Sequence, residues 1–238
     1  MYSAEICRAG YGGDLVFAAT ALRHLRALVC GKCDTITMRV ERSDDGANSM
    51  ALNLKLRIIP TDEDILDLSR ENPGYQFERS ASGALVVTPT GSESGRRTAE
   101  LVVQLGGWNR VHRAGVVFDS STGFRLPDGS LLSPDASWVR RDEWEALATQ
   151  QREGFAPLCP NVVFEIRSVS DRVSELRAKM QSYLVNGARL GILIDPEERT
   201  VSVYRPQREP SMLRSPKQLP LDPELPGFVL DFESILGP

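Results

Sequence analysis

The chain has 238 residues, 41% of them hydrophobic and 25% charged, which is the composition of a globular protein with one main domain. Its formal net charge of −4 at pH 7 excludes a protein that coats nucleic acid through an overall positive field, so any contact with phosphate must come from a local cationic patch. Four scattered cysteines exclude a secreted disulfide framework and favour the cytoplasm, and no apolar run reaches the roughly 18 to 20 residues that cross a membrane.

Residues 1–49 lack a regular pattern of strands and helices, and we interpret them as an N-terminal extension before a domain at residues 50–238. Two explanations are open: the extension is disordered, or Met50 is the true start of the protein. Cys30 and Cys33 form a single CxxC pair, which is a weak indication of zinc because a structural zinc site needs four ligands. The intact mass of the natively expressed protein decides whether the extension is present.

The predicted elements follow one another closely from residue 61 onward. Apolar residues repeated every three to four positions indicate helices, and short β-branched or aromatic runs between turn residues indicate strands. In chain order these patterns predict a helix at 62–71 capped by Thr61, a hairpin of 75–78 and 84–88, a helix at 94–110, an antiparallel meander of 115–119, 123–126 and 136–140, a strand at 161–166, a helix capped by Ser170 or Asp171 and ending at 186–187, strands at 190–194 and 200–204, and an apolar run at 228–232. This order predicts an α/β or α+β fold, a sheet with a helix on either side.

Two acidic residues stand where a core would favour apolar side chains. Asp135 follows Pro134 at the start of one strand, and Glu165 interrupts an otherwise apolar strand. Because a buried carboxylate without a partner is costly, such groups are paired, protonated or bound to metal. Two carboxylates on neighbouring strands can hold Mg²⁺, and Lys179 on the next helix could reach them. An ordinary ion pair between Glu165 and Lys179, without a metal, explains the same residues equally well.

Several segments carry a resemblance to a known family. They are 133–139 (SPDASWV), 159–171 (CPNVVFEIRSVSD), 179–183 (KMQSY) and 186–196 (NGARLGILIDP), and the likeness continues upstream through Glu78, 89–91 and 118–124. Over residues 58–206 the chain resembles the bacterial putative restriction endonuclease family, a branch of the PD-(D/E)XK nuclease superfamily. The resemblance implies a restriction-endonuclease-like core, with a mixed β-sheet flanked by helices and an N-terminal β-hairpin.

The resemblance also implies roles for individual residues. Asp135 and Glu165 would bind Mg²⁺ or Mn²⁺, together with the backbone carbonyl of Ile166. Glu100, on the first long helix, matches the place of an accessory acid. These residues would form the acidic part of a phosphodiesterase site.

The position of the lysine departs from the usual superfamily motif. That motif has lysine two residues after the glutamate, where this chain has Arg167. Arginine keeps the positive charge but cannot act as a base, so we expect Arg167 to contact phosphate or a carboxylate. Lys179 resembles the relocated lysine of this family, and we assign the catalytic role to it.

The resemblance predicts a Mg²⁺-dependent endonuclease that hydrolyses the phosphodiester bonds of double-stranded DNA. With one active site per chain, cutting both strands would favour a homodimer. Two alternatives are open: an inactive interaction module that keeps the nuclease fold, and a hydrolase that acts on another substrate through the same carboxylates, such as RNA or a glycoside.

Overall fold

The computed structural model describes residues 39–41, 52–55, 59–169 and 171–237. The predictions about Cys30, Cys33 and Met50 lie outside the described residues, and the division between extension and domain stays a prediction. Within the described ranges, no helix combines the length and the apolar character that a membrane crossing requires.

The described elements alternate between short strands and helices. The strands are β1 (Arg39–Glu41), β2 (Leu52–Lys55), β3 (Tyr75–Arg79), β4 (Leu85–Pro89), β5 (Gly115–Asp119), β6 (Phe124–Arg125), β7 (Leu131–Leu132), β8 (Ala136–Arg140), β9 (Val162–Ile166), β10 (Leu190–Asp195), β11 (Thr200–Tyr204), β12 (Ser211–Arg214), β13 (Gln218–Pro220) and β14 (Val229–Asp231). The helices are α1 (Asp62–Glu71), α2 (Ser92–His112), α3 (Arg141–Glu145), α4 (Thr149–Glu153), α5 (Val173–Val185) and α6 (Phe232–Leu236).

The strands form two six-stranded sheets and one small pair. The hairpin sheet has the order β1-β2-β4-β3-β7-β6, and its β3 and β4 are the predicted N-terminal β-hairpin. The central sheet has the order β12-β11-β10-β9-β8-β5, in which β9 and β10 are parallel and the other described neighbours are antiparallel. β13 pairs with β14. The mixed central sheet confirms the predicted fold class.

The central sheet is covered by α2 on one face and by α5 on the other. Alternation along β9 sends Phe164 into the apolar cluster that contains Leu105 of α2, and Val163 into the cluster that contains Met180 of α5. Glu165 has the same parity as Val163, so its side chain faces α5. The packing that buries this strand therefore also directs one carboxylate towards the helix.

The predicted three-stranded meander is wrong. β5 pairs with β8 in the central sheet, whereas the middle strand, β6, pairs with β7 in the hairpin sheet. Phe124 of β6 is fully buried and packs edge-on against Phe118 of β5, with ring centroids 5.3 Å apart. A two-residue strand has too few side chains for its pattern to determine its partner, and tertiary packing decides it.

The two predicted N-caps have different outcomes. Thr61 caps α1 as predicted, since its hydroxyl accepts a 3.2 Å hydrogen bond from the N–H of Asp64. Helix α5, in contrast, has Arg172 as its N-cap. The carboxylate of Asp171 instead accepts hydrogen bonds of 2.7 Å from the N–H and the hydroxyl of Ser168, which closes the loop before the helix. The other predicted cap, Ser170, lies outside the described residues.

Candidate active site

The pairing of β8 with β9 brings the two predicted metal ligands together. The strands are antiparallel, with Ala136 opposite Phe164. The same register, continued by one residue, puts Asp135 opposite Glu165 and on the same face of the sheet. Oδ2 of Asp135 accepts a hydrogen bond of 2.6 Å from the N–H of Ile166, the residue after Glu165. The two carboxylates thus lie side by side at one end of the central sheet.

Helix α5 supplies two donors to the carboxylate of Glu165. Nζ of Lys179 lies 2.9 Å from Oε1, and the hydroxyl of Tyr183 donates to the same oxygen at 3.0 Å. The two donors are four residues apart and therefore project from the same side of the helix. The structure therefore places Lys179 against Glu165, and near enough to Asp135 for its charge to act on the pKa of that carboxyl.

A third carboxylate reaches the cluster from the hairpin sheet. Oε1 of Glu78 lies 2.9 Å from Nζ of Lys179 and accepts a 2.6 Å hydrogen bond from the N–H of Ser133. The carbonyl of Ser133 in turn accepts a 3.1 Å hydrogen bond from Lys179. Glu78 belongs to the segments that carry the family resemblance, but it is not among the predicted site residues. Its neighbours Phe77 and Arg79 are also buried, so both faces of β3 are covered at this point and burial does not single out Glu78.

Burial raises the pKa values of both carboxyl groups of the predicted metal site. Desolvation raises the pKa of Asp135 to about 6, although the N–H of Ile166 and the charge of Lys179 oppose the shift. Desolvation also raises the pKa of Glu165, and Lys179 again offsets only part of the effect. For Lys179 itself, burial lowers the pKa, but the carboxylates of Glu165 and Glu78 raise it by more, to well above its usual range. The ammonium stays charged at neutral pH.

Arg167 lies beside the cluster but is engaged elsewhere. Its guanidinium is 2.9 Å from Oδ2 of Asp195 and 3.1 Å from Oε2 of Glu197. These ion pairs tie the end of β9 to the end of β10 and the turn that follows it. The carboxylate contact expected of Arg167 is therefore present, with partners outside the predicted metal site.

The structure does not bring Glu100 to this cluster. Its side chain accepts a 3.3 Å hydrogen bond from Gln104 on the same helix, α2. That helix covers the face of the central sheet opposite α5, whereas Glu165 faces α5. The third acid near the lysine is Glu78, which comes from the other sheet.

The donor set fits a magnesium ion better than a metal that needs a full protein cage. Among the described residues, no group of three or more His, Cys, Asp or Glu side chains is arranged to hold a metal. Each carboxylate uses one oxygen in its described contacts, Oδ2 in Asp135 and Oε1 in Glu165. The other oxygens, Oδ1 of Asp135 and Oε2 of Glu165, make no hydrogen bond or ion pair within the same ranges. Mg²⁺ is usually bound through one or two carboxylates and keeps several waters, so these two oxygens and a backbone carbonyl would suffice.

Two comparisons with known proteins give matches. The model of the family Uma2, described as "Putative restriction endonuclease", matches residues 62–233. A crystal structure of a "putative nuclease belonging to DUF820" from Anabaena variabilis ATCC 29413 is similar with a TM-score of 0.58 and 22% identity, over 72% of this chain and 96% of that one. At that identity the likeness shows the fold alone. No curated protein gives a significant match.

Proposed function

The chain belongs to the Uma2 family of restriction-endonuclease-like proteins, and from this membership we propose that it is a Mg²⁺-dependent endonuclease that hydrolyses phosphodiester bonds in DNA. Membership of the family supports nuclease activity. The requirement for Mg²⁺ and the choice of DNA as the substrate go beyond what the family supports. The observation that carries them is the convergence of Asp135, Glu165 and Lys179 at one end of the central sheet. Two carboxylates beside one ammonium are the groups that metal-assisted phosphodiester hydrolysis needs.

Asp135 and Glu165 would hold the ion, through Oδ1 and Oε2, with the backbone carbonyl of Ile166. When bound, Mg²⁺ would activate a water molecule and screen the negative charge of the phosphate. Glu78, Asp135, Glu165 and Lys179 together carry a formal charge of −2 when all are ionised, which a divalent cation offsets. With all four groups ionised, the site is therefore neutral only with the ion in place.

Lys179 would stabilise charge and would not take up a proton. The carboxylates of Glu165 and Glu78 outweigh its burial and hold its pKa well above the usual range, so the ammonium cannot act as a base near neutral pH. A protonated lysine next to the scissile phosphate stabilises the charge that builds up in the transition state.

We take double-stranded DNA as the substrate and a symmetric homodimer as the cutting form, because the described part of each chain has one such cluster and a duplex has two strands. Sedimentation with and without a DNA duplex tests the dimer. The cytoplasm is the proposed compartment, since the four cysteines are scattered and Cys159 is a free thiol in the core.

Cleavage of plasmid DNA by the purified protein tests the function. Wild type, Asp135→Ala and Glu165→Ala are compared in Mg²⁺, in Mn²⁺ and in EDTA. Asp67→Asn is the control, because the side chain of Asp67 on α1 is 51% exposed and pairs only with Arg70 among the described residues. We expect cleavage by wild type and control that requires the divalent ion, and its loss in both alanine variants.

The other outcomes separate the alternatives. Metal-dependent cleavage of RNA without cleavage of DNA would support an RNA hydrolase. A folded protein that is inert on every nucleic acid would support an interaction module that keeps the fold. Cleavage that survives both alanine substitutions would overturn the assignment of the site.

A further inference from the structure

The ammonium of Lys179 uses all of its hydrogen-bonding capacity within the protein. A lysine ammonium has three donor hydrogens. Its described acceptors are Oε1 of Glu165 and Oε1 of Glu78, both at 2.9 Å, and the carbonyl of Ser133 at 3.1 Å. Three acceptors for three hydrogens define one position for the ammonium, so its placement does not depend on a bound substrate.

Two of these three acceptors belong to one closed arrangement. Glu78 accepts from the N–H of Ser133 at 2.6 Å and from Lys179, while the carbonyl of Ser133 accepts from Lys179. Ser133 lies two residues before Asp135 in the chain. Glu78 therefore contacts both the lysine and the segment that leads into the first proposed metal ligand.

We propose that Glu78 is a positioning residue that holds the ammonium of Lys179 and the segment before Asp135 in one geometry. This inference rests on the proposed nuclease function and adds to it a residue from a different sheet. The hairpin sheet would thus complete the site, although its strands carry none of the proposed metal ligands.

The burial of Glu78 supports a specific role. Its side chain is only 10% exposed, and desolvating a carboxylate is costly unless its partners are well placed. By alternation along β3, Phe77 faces the apolar cluster under α1, and Glu78 faces the other side, towards α5. The hairpin sheet therefore directs this carboxylate to Lys179.

A second buried ion pair provides a matched control. Glu224 has a side chain that is 12% exposed and binds Arg205 at 2.9 Å through both carboxylate oxygens. None of its described contacts involves Lys179, Asp135 or Glu165. Glu224→Gln therefore removes a largely buried carboxylate of similar exposure without touching the cluster.

The test measures the position of the lysine separately from catalysis. The chain has four lysines, which are Lys32, Lys55, Lys179 and Lys217. With so few signals, NMR spectra of ¹⁵N-lysine-labelled protein are simple to assign. In the full-length, metal-free protein the hydrogen-bonded ammonium of Lys179 should exchange its hydrogens slowly with water. In Glu78→Gln we expect exchange to become about tenfold faster, the equivalent of one charge-assisted hydrogen bond, and in Glu224→Gln we expect no change.

The second arm measures cleavage of DNA. Glu78→Gln should lower kcat by about 10- to 100-fold with little change in KM, as is typical when a residue that orients an active-site group is replaced. Glu224→Gln should keep the wild-type kcat. Glu78→Asp is the second variant for the case that Glu78→Gln fails to fold, because it keeps the buried charge while its shorter side chain still loosens the contact with Lys179.

The two arms distinguish the possible failures. A wild-type protein that cleaves no DNA refutes the proposed function, and the exchange of the Lys179 hydrogens alone then decides the positioning role. Unchanged exchange in a folded Glu78 variant overturns the proposal, whatever happens to kcat. Equal loss of kcat in the Glu78 and Glu224 variants also overturns it, because the effect would then be one of general stability.

Discussion

Tyr183 donates a 3.0 Å hydrogen bond from its hydroxyl to Oε1 of Glu165, and both side chains are buried. Lys179, one helical turn earlier, donates to the same oxygen. A hydroxyl and an ammonium on one helix thus converge on one oxygen of the carboxylate. Helix α5 therefore fixes the orientation of Glu165 through Oε1, and leaves Oε2 without a described partner.

Replacing Tyr183 by phenylalanine removes this hydroxyl and keeps the ring. We expect the free energy of unfolding to fall by about 1 to 3 kcal/mol, because a buried carboxylate loses a hydrogen bond. Urea denaturation near neutral pH measures the change. Tyr204→Phe is the control, since Tyr204 is also a buried residue but its hydroxyl makes no hydrogen bond among the described residues. An equal loss in both variants would argue against a specific contribution from the contact with Glu165.

Asp135 should make the metal-free protein less stable as the pH rises. Burial raises its pKa to about 6, above the value of an unfolded chain, so the folded protein binds the proton more tightly. The free energy of unfolding therefore decreases between about pH 4 and pH 6, and stays lower above that range. In EDTA, Asp135→Asn should be more stable than wild type by about 1 to 3 kcal/mol near pH 7.5, and this advantage should shrink near pH 4.5. A difference that does not vary with pH would contradict the shifted pKa.

The same carboxyl should make metal binding dependent on pH. The ion binds the ionised form of Asp135, so a proton must leave before it binds. With a pKa of about 6, the affinity for Mn²⁺ should be about tenfold weaker near pH 5 than near pH 7.5. Calorimetric titration of the wild type with Mn²⁺ at both pH values measures this, and Asp135→Asn should bind weakly at both. An affinity that is equal at the two pH values would contradict the prediction.

The sequence predicts the parts of the site that lie within strongly patterned elements. Strand β9 is apolar except for one carboxylate, and this exception marks Glu165. Thr61 with Asp64 forms a capping box within four residues, so the start of α1 is also visible in the sequence. Such signals are local, and local patterns determine secondary structure and the face to which a side chain points.

The contribution of Glu78 could not be predicted in this way. It belongs to a strand of the hairpin sheet, and its partner Lys179 lies on a helix that covers the central sheet. No pattern within β3 determines which sheet its inner side chains will meet. The same limitation applies to Glu100, because a position in a helix does not tell which face of the central sheet that helix covers.

Replacing Lys179 by methionine should show how much the cluster depends on this ammonium group. The carboxylates of Glu78 and Glu165 both bind this ammonium, and their side chains are 10% and 5% exposed. Without it, two buried carboxylates lose their only described cation, and we expect the free energy of unfolding to fall by about 3 to 5 kcal/mol near neutral pH. DNA cleavage should also be lost. Urea denaturation measures the first effect and the plasmid assay the second.

Lys217→Met is the matched control for that substitution. Lys217 is 81% exposed and lies 3.8 Å from Glu233, so its ion pair is weak and screened by solvent. We expect its replacement to change the free energy of unfolding by less than about 0.5 kcal/mol and to leave cleavage intact. If Lys179→Met is as stable as Lys217→Met, the buried carboxylates do not need the ammonium, because they are then protonated or solvated in the folded protein. In that case the charge distribution assigned to the site is wrong, even if the positions of its atoms are right.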